Sequence, residues 1–178
     1  MKMTLAAATA ALIAAPVMAD VDVSIDHSGT GWNSGGVSTS YTVNAAGALD
    51  SMSVAVDFTN LGGWTWAGDL HIGIVDPNGN AMQFGGFNYD DGSASAGDFP
   101  SSWDSSSSGA YAHNASLASM GLSGSGDWTI TITDGYDSGA ETDNWNGILN
   151  LAGLEAVPAP GALALLGLAG LAGRRRRR

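Results

Sequence analysis

The chain of 178 residues contains no cysteine. That removes a disulfide framework, a thiolate nucleophile and any zinc–thiolate site. Basic residues are nearly as scarce. The six Lys and Arg are Lys2, Arg174, Arg175, Arg176, Arg177 and Arg178, so residues 20–173 hold none. All 17 Asp and Glu lie in that stretch, which therefore carries a formal charge of −17, against −11 for the whole chain. A body without cations cannot neutralise phosphates, and this excludes nucleic acid as a partner. It cannot form Lys or Arg ion pairs either. Its fold must rest on apolar burial and hydrogen bonding, working against self-repulsion that counter-cations would relieve. Lys, Arg, Gln and Glu, all good helix formers, are nearly missing from the body, whereas Gly reaches 26 in the chain. The composition predicts an all-β domain with many turns.

Catalytic motifs are lacking as well. There is no H-E-x-x-H and no G-x-S-x-G elbow. His27, His71 and His113 are scattered. His71 falls on the strand face opposite Leu70 and Ile72, so it reads as exposed or at a sheet edge. Serines and aspartates are too abundant to single out a triad or a carboxylate pair. The chain reads as non-enzymatic.

What is present begins at the two ends. Residues 1–19, MKMTLAAATAALIAAPVMA, set one charge (Lys2) before a short apolar core and an A-x-A-like close. This is the pattern of a secretory signal peptide, with cleavage expected between Ala19 and Asp20. Its use would require the secretion translocon and signal peptidase. At the other end, Val157, Pro158, Ala159 and Pro160 form a stiff, extended element. An apolar run, Gly161 to Gly173, follows, and the five arginines close the chain. As a helix the run would reach about 20 Å at roughly 1.5 Å per residue. That is short of a hydrocarbon core of about 30 Å, so the span recruits flanking residues, thins the bilayer or is temporary. The arginines should stay cytoplasmic, making the tail a stop-transfer anchor with the domain outside.

Residues 157–178 resemble the PEP-CTERM sorting signal, in which a Pro-containing motif, an apolar helix and an Arg-rich end occur in that order. The resemblance implies recognition by an exosortase, transient residence in the inner membrane, and delivery to the cell surface or extracellular matrix, as in a biofilm.

Between the signals, residues 20–156 suffice for one domain. Val21, Val23 and Ile25 alternate with polar residues, as do Met52, Val54, Val56 and Phe58. Leu70, Ile72 and Ile74 repeat the pattern, and so do Trp128, Ile130 and Ile132. Period-two alternation marks strands with one buried face. Val37 to Val43 and Ile148 to Leu154 read as further strands. Asp76-Pro77-Asn78-Gly79 is a turn signal. Gly92 to Gly109 is rich in Ser, Gly and Asp and reads as a long flexible loop.

The order Gly68-Asp69-Leu70, Pro77-Asn78-Gly79, Gly126-Asp127-Trp128, Asp134, Gly139 and Trp145 resembles the P domain of proprotein convertases, over about residues 49–154. The resemblance implies a jelly-roll β-sandwich, in some members calcium-bound.

Two groups of residues are candidate sites. Asp134, Asp137, Glu141 and Asp143 share one glycine-containing loop, and such hard oxygen ligands suit calcium, although the EF-hand order is missing. Asp69 joins this candidate metal set. At a strand start it is also placed to accept backbone N–H bonds and fix a corner. Trp64 and Trp66 sit two apart in a Gly-rich loop and would face the same way if extended, forming a platform for sugar rings. Trp128 and Trp145 read as core anchors. The expectation is an exported, non-catalytic surface or matrix protein whose β-sandwich takes calcium. The alternative is a carbohydrate-binding module or accessory domain acting on extracellular polysaccharide.

Overall fold

The computed structural model describes residues 20–30, 38–62, 64–87, 89–136 and 142–157. Eight strands account for most of them: β1 (Val21–Thr30), β2 (Thr39–Asn60), β3 (Leu70–Val75), β4 (Ala81–Gly85), β5 (Ala94–Ser95), β6 (Gly109–Ser116), β7 (Ser123–Asp134) and β8 (Thr142–Ala156). Single 3-10 turns lie at Ala67–Asp69, Ser101–Trp103 and Ala118–Met120. Among the described residues no helix is long and apolar enough to cross a membrane. The domain is all-β, as its composition required.

The architecture follows from β2, a strand of 22 residues that serves two layers. Its first part, Thr39 to Ala48, pairs antiparallel with β7, which leads on to β3, β4 and β5. Its second part, Ser51 to Asn60, lies between β8 and β6, and β8 pairs onward with β1. The two halves fold over one another in a β-sandwich-like arrangement. The expected strands around Val37 to Val43 and Met52 to Phe58 are thus one strand bent at its middle.

Glycines permit the bend. The register between β2 and β8 shifts between Gly47 and Ser51. Gly47 has φ +138° and Gly153 has φ +88°. A Cβ on either would fall on backbone, at the Gly153 carbonyl for the first and at the Ala48 carbonyl for the second. Two strands approach this closely, in these conformations, only without side chains.

Alternation then fills the interior. Val21, Val23, Ile25, Met52, Val54, Val56, Phe58, Leu149 and Leu151 are buried from one layer, and Leu70, Ile72, Ile74, Met82, Phe84, Trp128, Ile130 and Ile132 from the other. Trp128 and Trp145 are fully buried core anchors. Asp22 and Asp26 face solvent on β1.

The Ser/Gly-rich stretch 92–109 is mostly loop, as its composition suggests, but it is anchored to the core. It carries β5 and a 3-10 turn, and Phe99 and Trp103 are only 8% and 2% exposed. Trp103 stacks on Phe99 at 4.1 Å between ring centroids and meets Tyr111 at 5.3 Å. Phe99 meets Phe84 edge-on at 5.1 Å, and Tyr111 meets Phe58 at 6.2 Å. This aromatic seam joins β4 to β6, the strand that lies beside β2 in the other layer, and so covers one side of the core. Each such pair adds roughly 0.5–1.5 kcal/mol beyond area burial.

His71 corrects the sequence reading. It is 1% exposed, not at a surface or an edge. Gly86, Tyr89 and Asp91 lie against the outer face of β3, setting the Tyr89 ring 4.0 Å from the imidazole.

The Asp76 turn is built as its sequence requires. Oδ1 of Asp76 accepts the N–H groups of Asn78 and Asn80 at 2.8 and 2.9 Å, and Oδ2 accepts Asn80 Nδ2 at 2.8 Å and Ser123 N–H at 3.2 Å. Burial acts to raise this carboxyl's pKa, but those hydrogen bonds outweigh it and hold it below the usual range. The carboxylate ties the β3–β4 turn to the start of β7.

Candidate functional site

One end of the sandwich gathers the candidate residues. β2 ends at Asn60, which pairs with Asp143 near the start of β8. β3 starts at Leu70, which pairs with Asp134 at the end of β7. Residues 61–62, 64–69, 86–87 and 135–136 therefore converge there, and the topology alone brings Asp69, Asp134 and Asp143 to one rim.

The 3-10 turn Ala67–Asp69 is the scaffold of the rim. The Asp69 carboxylate accepts the Trp66 N–H at 2.7 Å, and the Asp69 N–H donates to the Trp66 carbonyl at 3.0 Å. This is the corner-fixing role expected of Asp69. The indole N–H of Trp145 donates to the Ala67 carbonyl at 3.2 Å, so a core tryptophan pins the turn from below. The Ala67 N–H donates to the Ser105 carbonyl at 3.0 Å, and the Gly135 N–H to the Asp69 carbonyl at 2.7 Å. Gly86, with φ +72°, packs against Gly135 so closely that a Cβ on Gly135 would strike its backbone. That approach sets Phe87 and Tyr136 side by side with the tryptophan loop.

The result is a cleft of about 210 Å³ lined by Trp64, Trp66, Asp69, Phe87 and Tyr136. Its four rings remain open to solvent, with exposures of 76% for Trp64, 36% for Trp66, 53% for Phe87 and 36% for Tyr136. Trp66 and Phe87 lie 6.1 Å apart between centroids with planes 29° from parallel. The Asp134 carboxylate accepts the Tyr136 N–H at 3.0 Å and holds that residue at the rim. Such a set of flat apolar faces beside one carboxylate suits adsorption of a ring-shaped, partly polar ligand. Among the described residues that line it there is no Ser, Thr, Cys or His.

The two tryptophans expected as a platform do share one cleft. Phe87 and Tyr136, which complete it, were not singled out in the sequence. The available signal was their position directly after glycines, Gly85-Gly86-Phe87 and Gly135-Tyr136, where backbones approach closely.

The expected calcium set is only partly placed. Asp137 and Glu141 lie outside the described residues. Asp69 and Asp143 are buried at 2% and 0% exposure, and Asp134 is half-buried. Among the described residues, no three His, Asp or Glu side chains form a group that would hold a metal ion. Asp69, Asp134 and Asp143 thus share the rim without forming a calcium cage among themselves.

Val157 ends the described domain. Its N–H donates to the Asn44 carbonyl at 2.9 Å, far from the rim. Pro158, Ala159, Pro160 and Arg174 to Arg178 lie outside the described residues, as do residues 1–19. No family model matches the chain, and no curated protein or solved structure shows a significant match to it.

Proposed function

We propose that this chain is an exported, surface-sorted binding protein, with no catalytic role, whose rim cleft faces away from the membrane to meet extracellular polysaccharide. One observation carries the reading: β8 leaves the rim at Thr142 and ends well down the sandwich, so Val157, the last described residue, lies toward the far end and not at the cleft. β8 runs from Thr142 at the rim to Ala156, and Val157 then hydrogen-bonds to Asn44, which pairs with Asp127 in β7. From Asp127 to Asp134 the strand climbs on the order of 23 Å back to the rim, at about 3.3 Å per residue. Val21, the first strand residue after the expected signal-peptide cut, pairs with Leu151 and lies toward the same far end. A tether at residues 157–178 would start on the order of 23 Å from the rim, at about 3.3 Å per residue, and leave the aromatic rings clear of its attachment point.

Three further features agree with this. The ends match a signal peptide and a PEP-CTERM-like tail that an exosortase would process. The P-domain-like order of motifs agrees with a jelly-roll form of the sandwich. The four exposed rings favour polysaccharide over a passive envelope role.

The test is mass spectrometry of the protein recovered from the cell surface. We expect an N-terminus at Asp20 and a C-terminus lacking Arg174 to Arg178. Surface-exposed protein that retains those arginines would overturn sorting with tail removal.

A further inference from the structure

We infer that the rim cleft selects polysaccharide bearing free amino groups, a glucosamine-type polymer, over neutral or uronate-rich chains. This rests on the reading of the rim as a polysaccharide face and names the class of sugar. Stacking explains only half of the cleft. The faces of Trp64, Trp66, Phe87 and Tyr136 would accept the C–H face of any pyranose. They do not distinguish one hexose from another.

Charge makes the distinction. Asp69 lines the cleft together with the rings. Asp134 is bonded to the backbone of the cleft residue Tyr136. Asp90 and Asp91 are exposed in the segment that begins with Phe87. No Lys or Arg occurs anywhere in residues 20–157, so the domain supplies no permanent side-chain cation to balance the charge of these carboxylates. The field at the rim is therefore negative. An ammonium group on a stacked ring gains from that field and from the electron-rich faces of the tryptophans. A uronate or sulfated ring meets repulsion at the same place. A neutral N-acetylated ring gains stacking alone.

The experiment titrates the exported protein with three oligosaccharides, following tryptophan fluorescence and heat. The probes are a β-1,4-linked glucosamine oligomer, its fully N-acetylated counterpart and an oligouronate. We expect the glucosamine oligomer to bind at least tenfold more tightly than the N-acetylated one, and the oligouronate not to bind. Raising salt from about 20 mM to about 500 mM should weaken the glucosamine complex, because exposed charges are screened. Trp64→Ala and Phe87→Ala remove exposed rings without touching the Asp69 corner, and each should weaken binding at least tenfold. Equal affinity for the glucosamine and N-acetylated oligomers would overturn the inference and leave the rim as a neutral-sugar platform. Binding of the oligouronate in preference would also overturn it. If none of the three binds, the polysaccharide reading of the rim falls together with the inference, while sorting to the surface stands on its own test.

Discussion

Two buried imidazoles tie this domain's stability to pH. His27 is fully buried, with Nδ1 3.1 Å from the Thr39 hydroxyl and its ring 5.9 Å from that of Trp145. His71 is 1% exposed under Tyr89, with Nε2 3.3 Å from Gln83 Oε1 and 3.9 Å from Asp91 Oδ2. Burial lowers both pKa values below 6.5, and for His71 the Gln83 bond and the Asp91 charge only partly oppose it. The unfolded chain therefore takes up protons near pH 6.5 that the folded one refuses. The stability is fully present above that pH and is lost as pH falls from 6.5 toward the folded values, by up to about 1.4 kcal/mol per unit and group within the window. We predict a melting temperature that drops between pH 7 and pH 5.5, with a shallower slope in the His27→Gln/His71→Gln double variant. A flat profile for the native protein would mean that neither imidazole is held neutral. At this scale the sequence was only partly legible. Alternation placed His71 on the outer face of β3 correctly, but nothing in that strand reports that Gly86, Tyr89 and Asp91 cover it.

Among the elements, the strands with clean alternation were visible in advance because each buries one face. β1, β7 and the second half of β2 are of that kind, and β3 alternates in the same way although both of its faces are buried. β4 and β6 were not: Met82 and Gln83 are both buried in β4, and β6 reads Gly-Ala-Tyr-Ala-His-Asn-Ala-Ser, with few large apolar side chains. The bend of β2 was hidden for a different reason. It depends on Gly47 meeting Gly153, a contact 106 positions apart in the chain. The composition of the stretch 92–109 concealed its anchoring, since its serines and glycines outnumber the two aromatic side chains that hold it to the core. Trp103 provides the check. It stacks on Phe99 and is 2% exposed, so Trp103→Ala should cost about 3–5 kcal/mol in denaturant unfolding. A loss under about 1 kcal/mol would show that the stretch is peripheral to the core.

For the whole molecule, the dominant fact is a domain with 17 carboxylates and no Lys or Arg to pair with them. Hydrogen bonds absorb some of this charge at defined places. Asp76 accepts four donors, Asp69 one from Trp66, Asp22 one from Asn150 and Asp127 one from Asn44. Asp90 and Asp91 accept the Gly92 and Ser93 N–H groups but, like Asp104, stand exposed on the surface, where like charges repel through solvent. That repulsion acts over a screening length of about 30 Å at 0.01 M salt and about 10 Å at 0.1 M. The first length exceeds the climb of roughly 23 Å from Asp127 to the rim, and the second falls well inside it. Sodium chloride between those concentrations should therefore raise the melting temperature by several degrees, and divalent chlorides should do the same at lower concentration. Calcium and magnesium should act alike at matched concentration, because Asp69, Asp134 and Asp143 share the rim without forming an ion-holding group. A plateau distinctly higher with calcium would contradict this. It would instead assign ligands to the loop that runs from Asp134 through Asp137 and Glu141 to Asp143, since calcium accepts irregular sets of six to eight oxygens that magnesium does not.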